Sequence, residues 1–156
     1  MIVEWPRYAM ANVAKFIFSG AFDAFPSLDL VVQEAGVYWI PLLAHRADEL
    51  YVTLSGEIEV DPHMWQRERK KFDRLPSRYV FDNVYSTTQP VPLPSRQDGR
   101  KALFDSCRSD ETMMFSTDFP HHSFDAPNWL FKPDVIDAAT RTAIASKNAK
   151  KVFHFD

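Results

Sequence analysis

The stretch from Leu28 to Leu54, LDLVVQEAGVYWIPLLAHRADELYVTL, decides the fold. Its first seven residues form a short apolar run with two adjacent valines that ends on a carboxylate, Glu34. That is the pattern of a buried strand. Gly36 then breaks the run. Between Val37 and Leu54, the residues Ile40, Leu43, Ala47, Leu50 and Leu54 recur at helical spacing around the charged set Arg46, Asp48 and Glu49. The spacing predicts a helix with one apolar face. A strand followed at once by an amphipathic helix is half of a βαβ unit, so the flanking sequence decides whether the unit repeats.

It repeats on both sides. Tyr8 to Phe18 puts Met10, Val13, Ala14, Ile17 and Phe18 on one helical face, and Gly20 with Phe25-Pro26 closes that helix. Downstream, Ser55 to Ser77 loses the apolar period, and its QRERKKFDR run predicts an exposed helix or lid-like excursion. Tyr79 to Thr88, YVFDNVYSTT, is rich in aromatic and β-branched residues and reads as a strand. The three prolines between Pro90 and Pro94 predict a stiff, extended surface loop. Gln97 to Cys107 reads as a helix, Thr112 to Thr117 as a short strand with Asp118 just beyond it, and Asp134 to Ser146 as a last helix started by Pro133 and Asp134. Helices alternating with strands imply right-handed crossovers and a parallel sheet, an α/β fold.

Composition bounds the rest. The chain has 156 residues, 46% apolar and 25% charged, which suits one compact domain. A complete (β/α)8 barrel takes roughly 250 residues, so this chain holds only part of one if it holds any. The net charge is −3 and the basic residues are scattered apart from Arg67 to Lys71, which argues against a nucleic-acid partner. Neither a secretion signal nor an apolar run long enough for a membrane span is present in the sequence. Cys107 has no second cysteine to pair with, and a reducing, cytoplasmic location is expected.

In parallel α/β folds, ligand sites lie at the C-terminal ends of strands. Glu34, the Thr87-Thr88 pair and Asp118 all fall at such ends. The richest segment is FSTDFPHHSFD, from Phe115 to Asp125, where Asp118 is followed by His121, His122 and Asp125. A carboxylate at a buried strand end is costly unless it is paired or bound to metal, and imidazoles are natural partners for either. Adjacent histidines on an extended segment point in opposite directions, so at most one of them is expected to join Asp118. The plainer alternative is that Asp118 caps a turn or helix and both imidazoles are partly exposed. Glu34 has a similar alternative as a cap for the helix after Gly36. His45 and His63 read as solvated, and Asp61-Pro62-His63 does not sit at a strand end. His154 reads as packed or frayed at the terminus, Cys107 as an inert or surface thiol, and Trp5, Trp39, Trp65 and Trp129 as core or subunit-interface area.

Three segments together carry a resemblance: FSGAFDAFPSLDLVVQEAGVYWIPLLAHRADELY from Phe18 to Tyr51, MMFSTDFPHHSFD from Met113 to Asp125, and KNAKKVF from Lys147 to Phe153. In order and spacing they resemble the C-terminal part of the amidohydrolase-related family, in the branch that contains aminocarboxymuconate semialdehyde decarboxylase. The most specific marks are Phe25-Pro26, Gly36 to Pro41, Asp118 to His121 and Asn148-Ala149. The resemblance implies strands six to eight of a (β/α)8 barrel with a divalent metal, commonly zinc, at the mouth. It implies Asp118 as a metal ligand that handles the proton of the attacking water, and His121 as a residue of the mouth. Glu34 falls where several members carry a histidine, so that histidine's role does not transfer to it, and a role as base or ligand-orienting group is the expectation.

The family's first-strand His-x-His and fifth-strand histidine have no counterpart in this sequence. The expectation is therefore part of a metal-dependent hydrolase for a small carboxylated or cyclic substrate. A decarboxylase of an aromatic or semialdehyde acid and a non-catalytic truncated barrel module are the alternatives. The metal belongs to the intact enzyme and not necessarily to this chain alone. Open strand edges add an expectation of homo-oligomers.

Overall fold

Val13 and Ile17 lie one helical turn apart and are almost fully buried, and they define the inward face of α1 (Glu4–Ser19) in the computed structural model. The structure describes residues 3–55, 72–130, 132 and 135–155. α1 ends at Gly20, which takes a left-handed φ of 75° and donates its N–H to the Ile17 carbonyl. That conformation costs glycine nothing. After the short α2 (Ala21–Ala24), the chain enters β1 (Leu30–Val32) and then α3 (Trp39–Ser55). This is the strand–helix pair expected from the sequence, with Ile40, Leu43, Ala44 and Ala47 on the buried face. Leu50, expected to be in that stripe, is exposed instead.

The next elements correct the sequence reading. Tyr79 to Asn83 is not strand but the body of α4 (Pro76–Asn83), and only Val84–Thr87 forms β2. Two features override the β propensity of YVFDN. Pro76 stands in the first helical turn, where it removes no needed hydrogen bond. Asp48, on α3, accepts from the Ser77 N–H at 2.7 Å and so satisfies one of the free donors at the helix start. The helix then buries Tyr79, Val80 and Asn83. Of the expected polar excursion, residues 56–71 lie outside the described residues, as do Asp61, His63 and Trp65.

α5 (Gln97–Ser106) follows as expected, and a helix not foreseen, α6 (Ser109–Thr112), leads into β3 (Met113–Met114). A 3-10 turn (Pro127–Trp129) comes next. The last helical run starts at α7 (Ala138–Thr142), continues through a π-helical turn (Ala143–Lys147) and ends as α8 (Asn148–Phe153). Its N-cap is Asp137, whose Oδ1 accepts from the Thr140 N–H at 2.8 Å, and it runs well past Ser146. The expected start signals Pro133 and Asp134 lie outside the described residues.

The three strands form one parallel sheet in the order β1-β2-β3, with Leu30 opposite Val84, Val32 opposite Ser86, and Ser86 opposite Met113. Leu30, Val32, Val84 and Met113 share the face that packs into the main core. Tyr85 and Met114, on the other face, are buried as well. The central strand is therefore covered on both sides, as a parallel sheet requires. The proline-rich loop after β2 is only partly at the surface, because Gln89 and Val91 are buried. Trp39 is core, with its indole N–H on the Gly36 carbonyl, whereas Trp5 is exposed. Among the described residues, no helix is long and apolar enough to cross a membrane.

Candidate functional site

Parallel pairing brings the C-terminal ends of all three strands to one rim, and hydrogen bonds between loops hold that rim together. The Glu34 N–H donates to Thr87 Oγ1 at 3.3 Å, which joins the ends of β1 and β2. Thr88 Oγ1 donates to the Ser116 carbonyl and accepts from the Ser116 N–H at 3.0 Å, which joins β2 to the segment after β3. Gln89 Nε2 donates to the Ser123 carbonyl at 3.1 Å, and the Val91 N–H donates to Asp125 Oδ2 at 3.2 Å. The three candidate positions named from the sequence therefore stand on one continuous rim.

Asp118 and His121 are brought together directly. The Asp118 carbonyl accepts from the His121 N–H at 2.8 Å across a tight turn that contains the cis Phe119-Pro120 peptide. Asp118 takes a left-handed φ of 60°, a conformation that aspartate tolerates better than most residues. The turn places His121 Nδ1 at 3.3 Å from Asp118 Oδ2 and at 2.9 Å from Ser123 Oγ. With side-chain exposures of 21% and 55%, Asp118 and His121 can both be reached from solvent. The segment is a turn and not extended, so the expectation that the two imidazoles diverge is corrected: the His121 and His122 rings lie 4.2 Å apart. The turn-capping alternative for Asp118 involves its backbone carbonyl, while its carboxylate faces the imidazole.

Glu34 stays apart from this pair. It has a left-handed φ of 57° and is exposed, and its carboxylate makes no hydrogen bond or ion pair among the described residues. It does not cap α3, which begins five residues later. Ser123 and Gln89 are site residues that the sequence reading missed. Ser123, two positions beyond His121, was within reach of a motif reading, but Gln89 was not.

Asp118 and His121 offer a carboxylate and an imidazole, whereas a stable zinc site takes three or four protein donors. Among the described residues, no group of three His, Cys, Asp or Glu side chains is placed to hold an ion. These residues therefore do not by themselves fit the metal that the resemblance implies. A cleft of about 660 Å³ lined by Asp98, Lys101, Asp105, Asp110 and Asp137 lies elsewhere and shares no residue with the rim.

Cys107 is not a surface thiol: it is fully buried, with Sγ against the Val37 carbonyl, and burial pushes its pKa up to about 11. The native fold thus favours the protonated thiol. That contribution to stability is complete below about pH 9, the ordinary thiol value, and is lost as pH rises through about 11. Iodoacetamide at pH 8 is expected to label Cys107 only as fast as the chain opens, with labelling in urea tracking the unfolding curve. Rapid labelling of the folded chain would contradict this burial.

A family model described as Amidohydrolase matches residues 3–155. No curated protein sequence matches the chain. Among solved structures, the chain superposes on 5-carboxyvanillate decarboxylase from Sphingomonas paucimobilis with a TM-score of 0.67 and 22% identity, covering 94% of this chain and 39% of that one. On 2,6-dihydroxybenzoate decarboxylase from Rhizobium the TM-score is 0.67 at 20% identity, covering 97% and 42%. A dihydroxybenzoic acid decarboxylase from Polaromonas sp. JS666, with bound manganese and the inhibitor 2-nitroresorcinol, gives 0.65 at 21% identity, covering 96% and 40%. The chain spans about two-fifths of the length of these structures, and at such identities the likeness is one of fold.

Proposed function

Because the chain belongs to the amidohydrolase family, we propose that it forms one wall of a metal-dependent active site, with its strands at positions six to eight of a (β/α)8 barrel. The observation that carries this reading is Asp118, presented at the end of β3 beside His121 on a rim tied together by hydrogen bonds. In this reading Asp118 is a metal ligand and general base, His121 orients it, and Glu34 is a second carboxylate at the mouth. The remaining metal donors come from polypeptide other than the described residues, because Asp118 and His121 are too few.

The finer reading is decarboxylation of a hydroxylated aromatic acid. Its support is the shared fold with three decarboxylases, one of them holding manganese, together with a mouth that already carries carboxylates and imidazoles. Hydrolysis, the first expectation from the sequence, has no comparable support. The lone buried thiol suits a cytoplasmic location.

Carbon dioxide release distinguishes the two chemistries. With the polypeptide that completes the site and Mn2+ present, 2,6-dihydroxybenzoate or 5-carboxyvanillate is expected to lose carbon dioxide, measured by isotope release from the carboxyl-labelled acid. No release from a panel of hydroxylated benzoates, alongside hydrolysis of a cyclic ester, would overturn decarboxylation and leave the hydrolase.

A further inference from the structure

The turn that carries Asp118 and His121 leaves the rim at Thr117 and returns to it at Asp125, whose N–H donates to the Thr117 carbonyl at 2.9 Å. This neck is also held from outside, because Asp125 Oδ2 accepts from the Val91 N–H at 3.2 Å. The tip, residues 119–124, is bonded largely within the turn. The Phe119 N–H reaches Thr117 Oγ1, the Phe124 N–H reaches the His121 carbonyl, and His121 Nδ1 meets Ser123 Oγ. Among the described residues, one hydrogen bond comes to the tip from another part of the fold. It runs from Gln89 Nε2 to the Ser123 carbonyl at 3.1 Å.

Glutamine is a costly residue to make that bond with. Gln89 is 3% exposed, and its Oε1 is buried with no hydrogen-bond partner among the described residues. A buried acceptor left unpaired lowers stability. Ser123 is exposed, so water takes its carbonyl whenever the amide is withdrawn. For the fold alone, an unbranched apolar side chain of the same length suits position 89 better. It fills the same space, carries no orphaned acceptor and leaves no buried partner behind. The amide is therefore there for something other than stability, and its donor acts on the tip that keeps His121 beside Asp118.

We propose that Gln89 is a positioning residue, kept at a cost to the fold because its amide fixes the tip of the turn. Through Ser123 and His121 it sets the direction of the Asp118 carboxylate, which lies 3.3 Å from His121 Nδ1. The His122 ring, 4.2 Å from that of His121, is held with the tip. The hold on the turn belongs to this chain alone, and its consequence for a metal rests on the proposed function.

Gln89→Met keeps the length of the side chain and removes both the donor and the orphaned acceptor. In the whole chain, its urea midpoint is expected to equal or exceed that of wild type. The His121 amide, bonded to the Asp118 carbonyl, is expected to exchange about three- to tenfold faster relative to the Cys107 amide in α5, the range set by one net hydrogen bond. The ring-current shifts that His121 and His122 impose on each other in the NMR spectrum should shrink with it. A lowered midpoint with equal acceleration at His121 and Cys107 would make Gln89 an ordinary core residue and overturn the proposal. An unchanged His121 amide would do the same, as would a variant that fails to fold. With the polypeptide that completes the proposed site, Gln89→Met is expected to lose about 10–100-fold in Mn2+ affinity, as the loss of an outer partner does. Unchanged affinity, in a site that Asp118→Asn does empty, would overturn the positioning of Asp118. If Asp118→Asn keeps the ion, the proposed function fails instead, and exchange at His121 in the chain alone still decides whether Gln89 holds the turn.

Discussion

Asp118→Asn is expected to empty the metal site proposed for the completed enzyme while leaving the fold intact. The substitution removes the negative charge but keeps the side-chain size and the tolerance for a left-handed backbone, which matters because Asp118 sits at φ 60°. A carboxylate ligand is worth more than the outer partners of a metal, whose loss alone costs about 10–100-fold in affinity. A fall of at least about 100-fold is therefore expected for the divalent ion, read by elemental analysis after dialysis. Thermal stability should change by less than about 0.5 kcal/mol, as for an accessible surface position. Asp118→Ala should lose the ion too, but with a further cost of about 1 kcal/mol, because alanine disfavours this backbone conformation. One ion per chain retained by the asparagine variant would end the ligand assignment. It would leave the turn with His121 as a structural feature only.

How far the sequence carried the fold depended on whether the deciding contact was local. β1 and α3 were legible because Gly36 separates a run of valines from a helical period, and both signals lie within a few residues. α4 was not, because the residues that make it helical act from outside it: Asp48 meets Ser77 across 29 positions. The site divides the same way. Asp118 and His121 could be named because a strand end and a motif coincide there, and a three-residue turn brings them together. The packing of His122 on His121 could not, since it depends on the conformation of that turn. Gln89 was out of reach as well, because its role is set by Ser123, 34 positions away. Asn148 marked the resemblance to the family, yet its work on the Met113 carbonyl needed the folded chain to be seen.

Tyr79→Ala is expected to be the most damaging core substitution, at about 4 kcal/mol, within the range for removing a buried aromatic ring. Tyr79 is 1% exposed. Its ring stacks on Phe22 at 6.0 Å, meets the edge of Phe72 at 6.1 Å, and carries the Arg74 guanidinium over one face at 4.4 Å. Its hydroxyl donates to Asp23. The residue thus joins α2, α4 and the segment before α4, and alanine would leave a cavity as well as a carboxylate without its donor. Tyr79→Phe separates these parts: it keeps the ring and should cost about 1.5–3 kcal/mol for the lost hydrogen bond to a charged acceptor. The two variants also differ from wild type in their response to alkali. Burial, with the Asp23 carboxylate second, pushes the Tyr79 pKa up from 10.0 to about 12, so the folded state holds the phenol proton more tightly than the unfolded chain does. The stability this provides is complete below about pH 10 and is lost as pH rises through about 12. Urea unfolding followed by tryptophan fluorescence should therefore show the gap between wild type and Tyr79→Phe narrowing across that interval. A gap that stays constant up to pH 12, or a cost below about 1.5 kcal/mol for Tyr79→Ala, would mean that the Phe22–Phe72 cluster closes over the missing ring and that Tyr79 is not the joint between these elements.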